Sequence, residues 1–243
     1  MSILDIPAGA LRTRFGRAPF LVQHRLTRHP LFAPACIEEM ALEKPRNDPA
    51  YSVLLRRCLD ELRSAARDLT GGMHAEQLKV FFAPPGGLTP YRAETEESFI
   101  LQIRGRQTLC AFDRAVLSAE QVERLHARGQ RELAYRDAHA ALGRTYNLMP
   151  GLGVHVPVAA PYWVKTGPEE SIAVSIGFRT RTSARAAQAH RMNAFLRRLG
   201  FEPSPVGEWP WLDRLKQLAF KIRRARPLAA PFVLRTASSG DRR

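Results

Sequence analysis

Apolar and polar residues alternate with two different periods along this chain, and the period changes twice. In the first part, apolar residues recur at helical spacing after Asp48-Pro49, a pair that supplies an N-cap and a proline at the first helical position. We predict a helix that ends at Gly71-Gly72, preceded by irregular structure with one or two strands. The apolar residues of this helix are Leu54, Leu55, Cys58, Leu59 and Leu62.

From Gln77 onward the pattern is that of β-strands. Short segments rich in aromatic and branched residues, such as LKVFFAP, SFILQIRG and SIAVSIGF, are separated by glycine and proline. Further strands are predicted in RQTLCAFD, RTYNLMP, GVHVP and YWVKT. One helix is predicted after Ser118, which can form a capping box with Gln121. Many short strands with turns at close intervals favour a sandwich or barrel over alternating strands and helices.

The last part returns to helical spacing. One amphipathic helix is predicted up to Gly200, and a second one follows it. Their apolar faces comprise Met192, Phe195, Leu196 and Leu199 in the first helix, and Leu212, Leu215, Leu218, Ala219 and Ile222 in the second. The other face of the second helix is predicted to carry the cations Lys216, Lys221, Arg223 and Arg224.

These periods divide the chain into four parts. An N-terminal extension with a helix (1–76) is expected to pack on a β-core (77–180), and basic helices (181–226) follow the core. The polar ending of the last stretch (227–243) predicts a disordered tail.

Composition narrows the class of protein. Of the 243 residues, 45% are hydrophobic, which is enough for a sizeable core. We find no apolar run long enough for a transmembrane helix and no secretory signal pattern at the N-terminus. The three cysteines, Cys36, Cys58 and Cys110, lack metal-type spacing and are typical of buried thiols in a reducing compartment. The sequence therefore predicts a cytoplasmic protein.

The positive charge is concentrated at the C-terminal end. Residues 181–243 hold 14 Lys/Arg and 4 Asp/Glu, a net charge of +10, whereas residues 1–180 hold 23 and 19, a net charge of +4. Such an end can meet nucleic acid, an anionic surface or an acidic protein, or it can be a solvated helical face. The charge is not accompanied by a recognisable nucleic-acid-binding motif, so nucleic acid is not the favoured partner.

Two long segments resemble a known family. PPGGLTPYRAETEESFILQIRGRQTLCAFD resembles the core of bacterial cupin-like, JmjC-type oxygenases, which depend on Fe(II) and 2-oxoglutarate and are relatives of the asparaginyl hydroxylases. MPGLGVHVPVAAPYWVKTGPEESIAVSIGF resembles the second half of that family. The resemblance covers most of residues 20–200. It implies a mainly β protein with a cupin-type double-stranded β-helix (jelly-roll) core and helical additions at both ends.

The resemblance also indicates where the family holds iron. There, a His-x-Asp pair and a distal His form a facial triad that leaves positions open for 2-oxoglutarate and dioxygen. The matching positions in this chain are Arg92, Glu94 and Tyr162. Arginine stays protonated and cannot donate a lone pair, and a neutral phenol is a poor Fe(II) ligand. We therefore expect no intact metal site, no catalytic residue and no cofactor.

The positions that the resemblance assigns to 2-oxoglutarate are degenerate as well. They are Thr89, Ser98 and Gln107, and the lysine of the family is replaced at Gln107 by a neutral amide that loses the charge-assisted bond. The Asp of a P-G-D phrase matches Leu152. Several independent losses in one pocket indicate that the oxygenase chemistry is gone.

A shifted metal site was considered from the remaining carboxylates and histidines. Glu94 and His155 are the candidates, but His155 alternates with two valines on a short strand, which is typical of a structural histidine. Glu96 and Glu97 are interpreted as solvated loop charges. His24 and His29 have no carboxylate nearby in the sequence, so metal binding there is less favoured still.

Arg92 has two interpretations. In the first, it pairs with Glu94, because residues separated by one position on a strand share a face. In the second, Arg92, Gln107, Thr89 and Tyr162 bind a small anion such as a carboxylate. The first interpretation is favoured.

Three classes of function follow. The favoured hypothesis is a catalytically inactive oxygenase-fold protein that binds a small anionic ligand or a protein. The alternatives are an active Fe(II)/2-oxoglutarate hydroxylase with atypical ligands, and a basic protein that binds nucleic acid or another anionic surface. A homodimer through the C-terminal helices is also expected, because Trp209, Trp211 and Phe220 supply apolar area there.

Overall fold

Ten strands form two antiparallel sheets in the computed structural model, which describes residues 2–33, 36, 49–70 and 72–225. The larger sheet has the order β1-β2-β8-β5-β10-β3, and the smaller sheet has the order β4-β9-β6-β7. The strands are β1 (Leu4–Asp5), β2 (Phe20–His24), β3 (His74–Ala83), β4 (Leu88–Arg92), β5 (Glu97–Arg104), β6 (Gln107–Ala111), β7 (Arg144–Leu148), β8 (Leu152–Val156), β9 (Tyr162–Thr166) and β10 (Ser171–Arg179).

From β3 to β10 the chain passes back and forth between the two sheets, and every recorded strand pair is antiparallel. This arrangement confirms the predicted double-stranded β-helix. The turn from β5 to β6 needs Gly105, which has a φ of +70° and whose Cβ would lie 2.2 Å from the Glu170 carbonyl oxygen. Each strand that was predicted from the sequence pattern is present. The strand on which Arg92 and Glu94 were expected is β4, which contains Pro90 and ends at Arg92, so Glu94 lies just beyond it. Proline is tolerated there because β4 is an edge strand.

The alternation of side chains along the strands produces two apolar cores. Ile100, Val154 and Val156 on the larger sheet meet Leu109 and other residues of the smaller sheet inside the barrel. The opposite face of the larger sheet packs against the N-terminal part of the chain. That outer core contains Phe20, Leu54, Leu59, Leu62, Phe99, Leu101, Val174, Ile176 and Phe178. Each buried side chain of this size contributes roughly 1.5–3 kcal/mol, so both cores hold the barrel together.

The N-terminal extension does more than cover the barrel. Its strand β2 pairs with β8, and β1 pairs with β2, so the extension lengthens the larger sheet. Helices α1 (Ala8–Arg14), α2 (Pro49–Ala65) and α3 (Arg67–Thr70) accompany these strands. The predicted helix after Asp48 is present as α2, but the proposed caps at Asp48 and Gly71 lie outside the described residues.

Three further helices complete the described chain: α4 (Ala119–Arg128), α5 (Arg181–Arg198) and α6 (Pro210–Ala225). Ser118 and Gln121 form the predicted capping box at the start of α4, and α4 and α6 both pack on α5. Within the described residues, no helix is long and apolar enough to cross a membrane. The predicted tail at 227–243 lies outside them.

The face of α6 that packs on α5 differs from the prediction. Lys216 was placed on the solvated face, but it is only 5% exposed and donates to the Ser204 carbonyl oxygen at 2.7 Å. Leu215 and Leu218 are more than half exposed instead. Nζ of Lys216 also lies 3.7 Å from the Asp213 carboxylate, so the buried ammonium group has polar partners on the inward side of α6.

Candidate functional site

Strands β4 and β9 place Arg92 and Tyr162 side by side at the edge of the smaller sheet. The two residues are direct partners in the strand register, although 70 positions separate them in the chain. Directly opposite residues on antiparallel strands share a face, so both side chains point to the same side. Tyr162 packs with the interior core, whereas its neighbour Trp163 packs with the Tyr91 and Phe112 cluster outside it. Tyr162 therefore faces the barrel interior, and Trp163 faces away from it.

Glu94 lies at the centre of this group and is 7% exposed. Its Oε1 accepts from the Arg92 guanidinium at 2.9–3.0 Å and from the Tyr162 hydroxyl at 3.4 Å. Its Oε2 lies 3.3 Å from Nε of Arg131. We call these four residues the mouth cluster. The ion pair of Arg92 with Glu94, which was the favoured interpretation of the sequence, is present.

Backbone contacts hold the mouth cluster in place. The Ala93 amide donates to the Arg131 carbonyl oxygen at 2.9 Å, and the Ala159 amide donates to the Glu94 carbonyl oxygen at the same distance. These bonds tie the segment after α4 and the turn before β9 to the end of β4. The cluster is thus positioned by three separate parts of the chain.

Arg131 was not predicted to belong to this site. It follows α4 in a segment that looks like an ordinary polar loop, and nothing in its spacing relates it to β4. The structure joins the two segments through a β-bridge between Arg92 and Glu132. A long-range bridge of this kind leaves no local sequence signal.

The donor set of the mouth cluster does not suit Fe(II). Glu94 is the one carboxylate in the cluster, and its oxygens already face two guanidinium groups. Burial raises the pKa of the Tyr162 hydroxyl, and the negative charge of Glu94 raises it further, so the phenol keeps its proton. The described residues contain no group of three or more His, Cys, Asp and Glu side chains placed to bind a metal.

The three positions assigned to 2-oxoglutarate lie on strands that line the barrel. Ser98 alternates with Ile100, and Gln107 alternates with Leu109, so both face the interior core. Thr89 is the register partner of the core residue Val164. Ser98 and Gln107 are 4% and 7% exposed.

Glu96 and Glu97 are not solvated loop charges, as the sequence had suggested. Both are about 95% buried, because Glu97 begins β5 and Glu96 directly precedes it. Glu96 interacts with the Gln77 amide and lies 3.5 Å from Nζ of Lys79. Its carboxylate lies over Gly177, where a Cβ would approach it to 3.1 Å.

His155 is a structural residue of the outer core. Its Nε2 lies 3.0 Å from the Glu97 carboxylate, and its ring stacks on Phe15 and Phe20. The histidine and its carboxylate therefore pack beneath the N-terminal extension, on the face of the sheet opposite to the barrel interior. A shared metal site of His155 with Glu94 is not formed.

The two N-terminal histidines also have structural contacts. Nδ1 of His24 accepts from the Leu26 amide at 3.2 Å, and Nδ1 of His29 accepts from the Leu31 amide at 3.3 Å. Burial lowers the pKa of His24 to about 4, so its imidazole is neutral at physiological pH.

Comparison with known proteins finds similarity in structure alone. No family model matches the sequence, and no curated protein matches it. An X-ray structure of YcfD from Escherichia coli has a TM-score of 0.52 at 16% identity, covering 92% of this chain and 69% of that one. YcfD, a ribosomal oxygenase, in complex with cobalt and 2-oxoglutarate has a TM-score of 0.48 at 15% identity, covering 88% and 66%. A prolyl-4-hydroxylase from Pseudomonas putida has a TM-score of 0.48 at 17% identity, covering 74% and 99%.

The likeness to YcfD shows a shared fold, and it confirms at that level the resemblance seen in the sequence. Identity of this order does not carry over an activity, a substrate or a ligand, since one fold serves many functions. The function of this chain must be argued from its own residues.

Proposed function

We propose that this chain is a non-catalytic oxygenase-fold protein that binds a small anionic molecule at the barrel mouth. One observation carries the proposal: Glu94, the only carboxylate in the mouth cluster, accepts from Arg92 and from the Tyr162 hydroxyl through Oε1, and its Oε2 lies 3.3 Å from Arg131. A carboxylate in that position is a partner for cations of the protein itself, and it is not available as a metal ligand.

The positive charges beside Glu94 disfavour iron binding at the barrel mouth. A divalent cation beside Glu94 would meet the positive charges of Arg92 and Arg131. Two unit charges about 4 Å apart repel by roughly 4 kcal/mol at an effective dielectric of 20, and a divalent ion doubles that value for each arginine. A single carboxylate does not offset this repulsion, and Tyr162 contributes a protonated hydroxyl.

The same charges favour an anion. Two arginines and one glutamate give the mouth cluster a net charge of +1, and the Arg92 side chain is 26% exposed. Thr89, Ser98 and Gln107 add polar groups along the barrel wall, and neither Ser98 nor Gln107 has a side-chain hydrogen bond within the described parts of the chain. The polar atoms of these side chains are therefore available to hydrogen-bond a small polar ligand.

The test is a pair of measurements on the full-length protein. Purified protein with Fe(II) and 2-oxoglutarate should form no succinate, and isothermal titration without metal should detect a small dicarboxylate such as succinate or 2-oxoglutarate. Arg131→Gln should weaken that binding about tenfold, because one charge-assisted contact is lost. Iron-dependent succinate formation that disappears in Glu94→Ala would refute the proposal.

Restoring the family's ligands tests the assignment of the positions. The variant Arg92→His, Glu94→Asp, Tyr162→His, Gln107→Lys should gain iron binding, but only when Arg131→Gln is included, because Arg131 would otherwise still pair with the carboxylate. Iron stoichiometry of the purified variants is the measurement. If the variant with all five substitutions folds but binds no iron, these positions do not correspond to the iron-binding triad of the family.

A further inference from the structure

A second concentration of charge lies outside the barrel, in a cleft of about 690 Å³ between α4, α5 and α6. Seven of its lining residues are arginines, and the lining acids are Glu120 and Glu123. The lining therefore carries a net charge of 7 − 2 = +5. We call this the arginine cleft.

Both glutamates of the arginine cleft already have a partner. Glu120 lies 2.8 Å from Arg124, one turn along the same helix. Glu123 is buried and accepts from Nε of Arg197 at 2.6 Å and from the Asn193 amide at 3.1 Å. The other five arginines have no carboxylate partner within the described residues, and they are Arg128, Arg191, Arg198, Arg223 and Arg224.

Two of these five arginines are held by aromatic rings. The guanidinium carbon of Arg223 lies 4.5 Å from the centre of the Phe195 ring and 5.9 Å from that of Phe220. Arg191 lies 6.0 Å from the centre of the Phe220 ring, and its Nε donates to the His126 carbonyl oxygen at 2.9 Å. A stacked guanidinium keeps N–H groups at its edge, and it loses less conformational freedom when a ligand binds.

The positive charges in this region repel one another. The pKa of Arg191 is lowered, first by burial and then by the nearby charges of Arg179 and Arg224. Such repulsion is unfavourable in the empty cleft and would be relieved by a bound anion. The cleft is therefore electrostatically prepared for negative charge.

We propose that the arginine cleft binds a compact ligand that carries two or more adjacent phosphate groups. Guanidinium groups match the geometry of phosphate oxygens through paired hydrogen bonds, and an oligophosphate concentrates several charges in a small volume. The size of the cleft lies within the range of roughly 300–1,000 Å³ typical of small-molecule sites. This site is distinct from the barrel mouth and does not depend on the proposed function.

Other polyanions fit the cleft less well. Nucleic acid without sequence preference is usually held by aromatic faces on which bases stack, whereas Phe195 and Phe220 are engaged with arginines here. An acidic peptide carries one charge per side chain over a longer backbone, so fewer charges would enter a cleft of this volume. The phosphates could belong to an inorganic oligophosphate or to a nucleotide, because the recognised chemistry is the same.

The experiment is calorimetric titration of the full-length protein with inorganic tripolyphosphate. We expect one ligand per chain. The triple variant Arg128→Ala, Arg198→Ala, Arg224→Ala should bind at least about tenfold more weakly, since several charge-assisted contacts are lost. The matched control removes the same number of charges elsewhere, at the exposed residues Arg12, Arg17 and Arg106. Its affinity should stay within about twofold of the wild type.

Parallel titrations with ATP, a single-stranded oligonucleotide and an oligo-glutamate peptide distinguish the ligand class. ATP binding as tightly as tripolyphosphate supports recognition of phosphates alone, and tighter ATP binding identifies a nucleotide as the source. Equal weakening in both triple variants would mean non-specific attraction and would overturn the proposal. So would tighter binding of the oligonucleotide or the peptide, which would assign the cleft to a macromolecule.

A second measurement uses the wild-type protein, so that the proposal can be tested even when the triple variant does not fold. Hydrogen exchange of the wild-type protein with tripolyphosphate should show protection within 119–128, 181–198 and 210–225, and none within β5. Arg198→Gln removes a single exposed cation and should by itself weaken binding measurably. Protection confined to the barrel would contradict the proposal.

Discussion

The barrel mouth and the arginine cleft both gather arginines, but they differ in what the arginines meet. At the mouth, two arginines converge on one buried carboxylate, Glu94, and a tyrosine hydroxyl completes its surroundings. In the cleft, five arginines have aromatic rings, backbone or open space around them in place of carboxylates. The mouth therefore keeps a net charge of only +1 around a compensated carboxylate, whereas the five arginines of the cleft that lack a carboxylate partner leave a larger positive charge.

This difference shows that local pairing, and not the number of cations, decides what a basic region can do. The sequence indicated a net positive charge at the C-terminal end, and a solvated surface was one explanation of it. The structure places part of that charge in a concave cleft, with Glu120 and Glu123 already used. Each of the following predictions changes one side of this contrast.

Acidification should have the largest effect, and two of the histidines through which it acts lie in the helical layer. His126 of α4 and His190 of α5 stack with ring centres 5.1 Å apart, and His126 is buried while His190 is half-buried. Burial lowers the pKa of His126 to about 3 and that of His190 to about 4. Arg191 and Arg179 also lower the pKa of His126, after burial and the coupling to His190.

Both histidines are neutral in the folded protein, whereas the unfolded chain takes up protons near pH 6.5. The free energy of unfolding should therefore fall as the pH drops from about 6.5, down to about 4 for His190 and about 3 for His126, by on the order of 2 kcal/mol for each histidine, and each contribution should level off below the folded pKa. Chemical denaturation at a series of pH values measures it. Hydrogen exchange near pH 4.5 should accelerate in α4 and α5 before it does in β5 and β10.

The variant His126→Phe keeps a stacked ring but cannot be protonated. Its stability should depend less steeply on pH, by up to about 1.4 kcal/mol per pH unit within the same window. An unchanged slope would mean that other groups control the response to acid.

Removing the charge of Glu94 should have the next largest effect. Glu94→Gln leaves Arg92 and Arg131 without a counter-charge, and breaking a fully buried pair costs roughly 3–5 kcal/mol. Because the two arginines are partly exposed, we expect a loss of about 2 kcal/mol in the free energy of unfolding.

The matched control is Glu120→Gln in the cleft, which breaks an exposed pair with Arg124 and should cost at most about 0.5 kcal/mol. Adding Arg131→Gln to Glu94→Gln should recover part of the loss, because one uncompensated cation is removed. Equal losses in the two single variants would remove the contrast between the mouth and the cleft.

The fold could be predicted from the sequence, and so could the side chains of β9 that point into the barrel. Strand alternation fixes which side chains face the barrel, so the convergence of Arg92, Glu94 and Tyr162 could be predicted once the two strands were matched. The pairing of Arg92 with Glu94 followed from their spacing of two residues on one face.

Contacts between distant segments could not be predicted in this way. Arg131 reaches Glu94 through a bridge far from β4 in the chain, and Glu97 pairs with His155 across two strands. Lys216 is buried because the Ser204 carbonyl oxygen accepts from it, and a helical pattern treats every lysine as solvated. Each of these contacts needs a partner from a distant part of the chain, and the hydrophobic periodicity of a single element does not predict such a partner.

The outward face of α6 is the part of the helical layer that lacks a partner within the described residues. Trp211, Leu215, Leu218 and Ile222 follow each other at intervals of four, three and four residues, and each is more than half exposed. These intervals match the narrow a/d seam of a coiled coil. The order of the intervals is the same from either end of the seam. Two copies of α6 can therefore pack antiparallel, with Trp211 against the partner's Ile222.

We therefore propose that the seam joins two copies of this chain. Light scattering should then give twice the monomer mass of 27.3 kDa. The variant Leu215→Ser, Leu218→Ser should give the monomer mass. Its intrinsic stability should change by no more than about 0.5 kcal/mol, because both side chains are exposed in the single chain and few contacts within it are lost. This effect on stability is as small as that expected for Glu120→Gln, and it separates assembly from folding. A wild-type protein that stays at 27.3 kDa at micromolar concentration would reject the dimer.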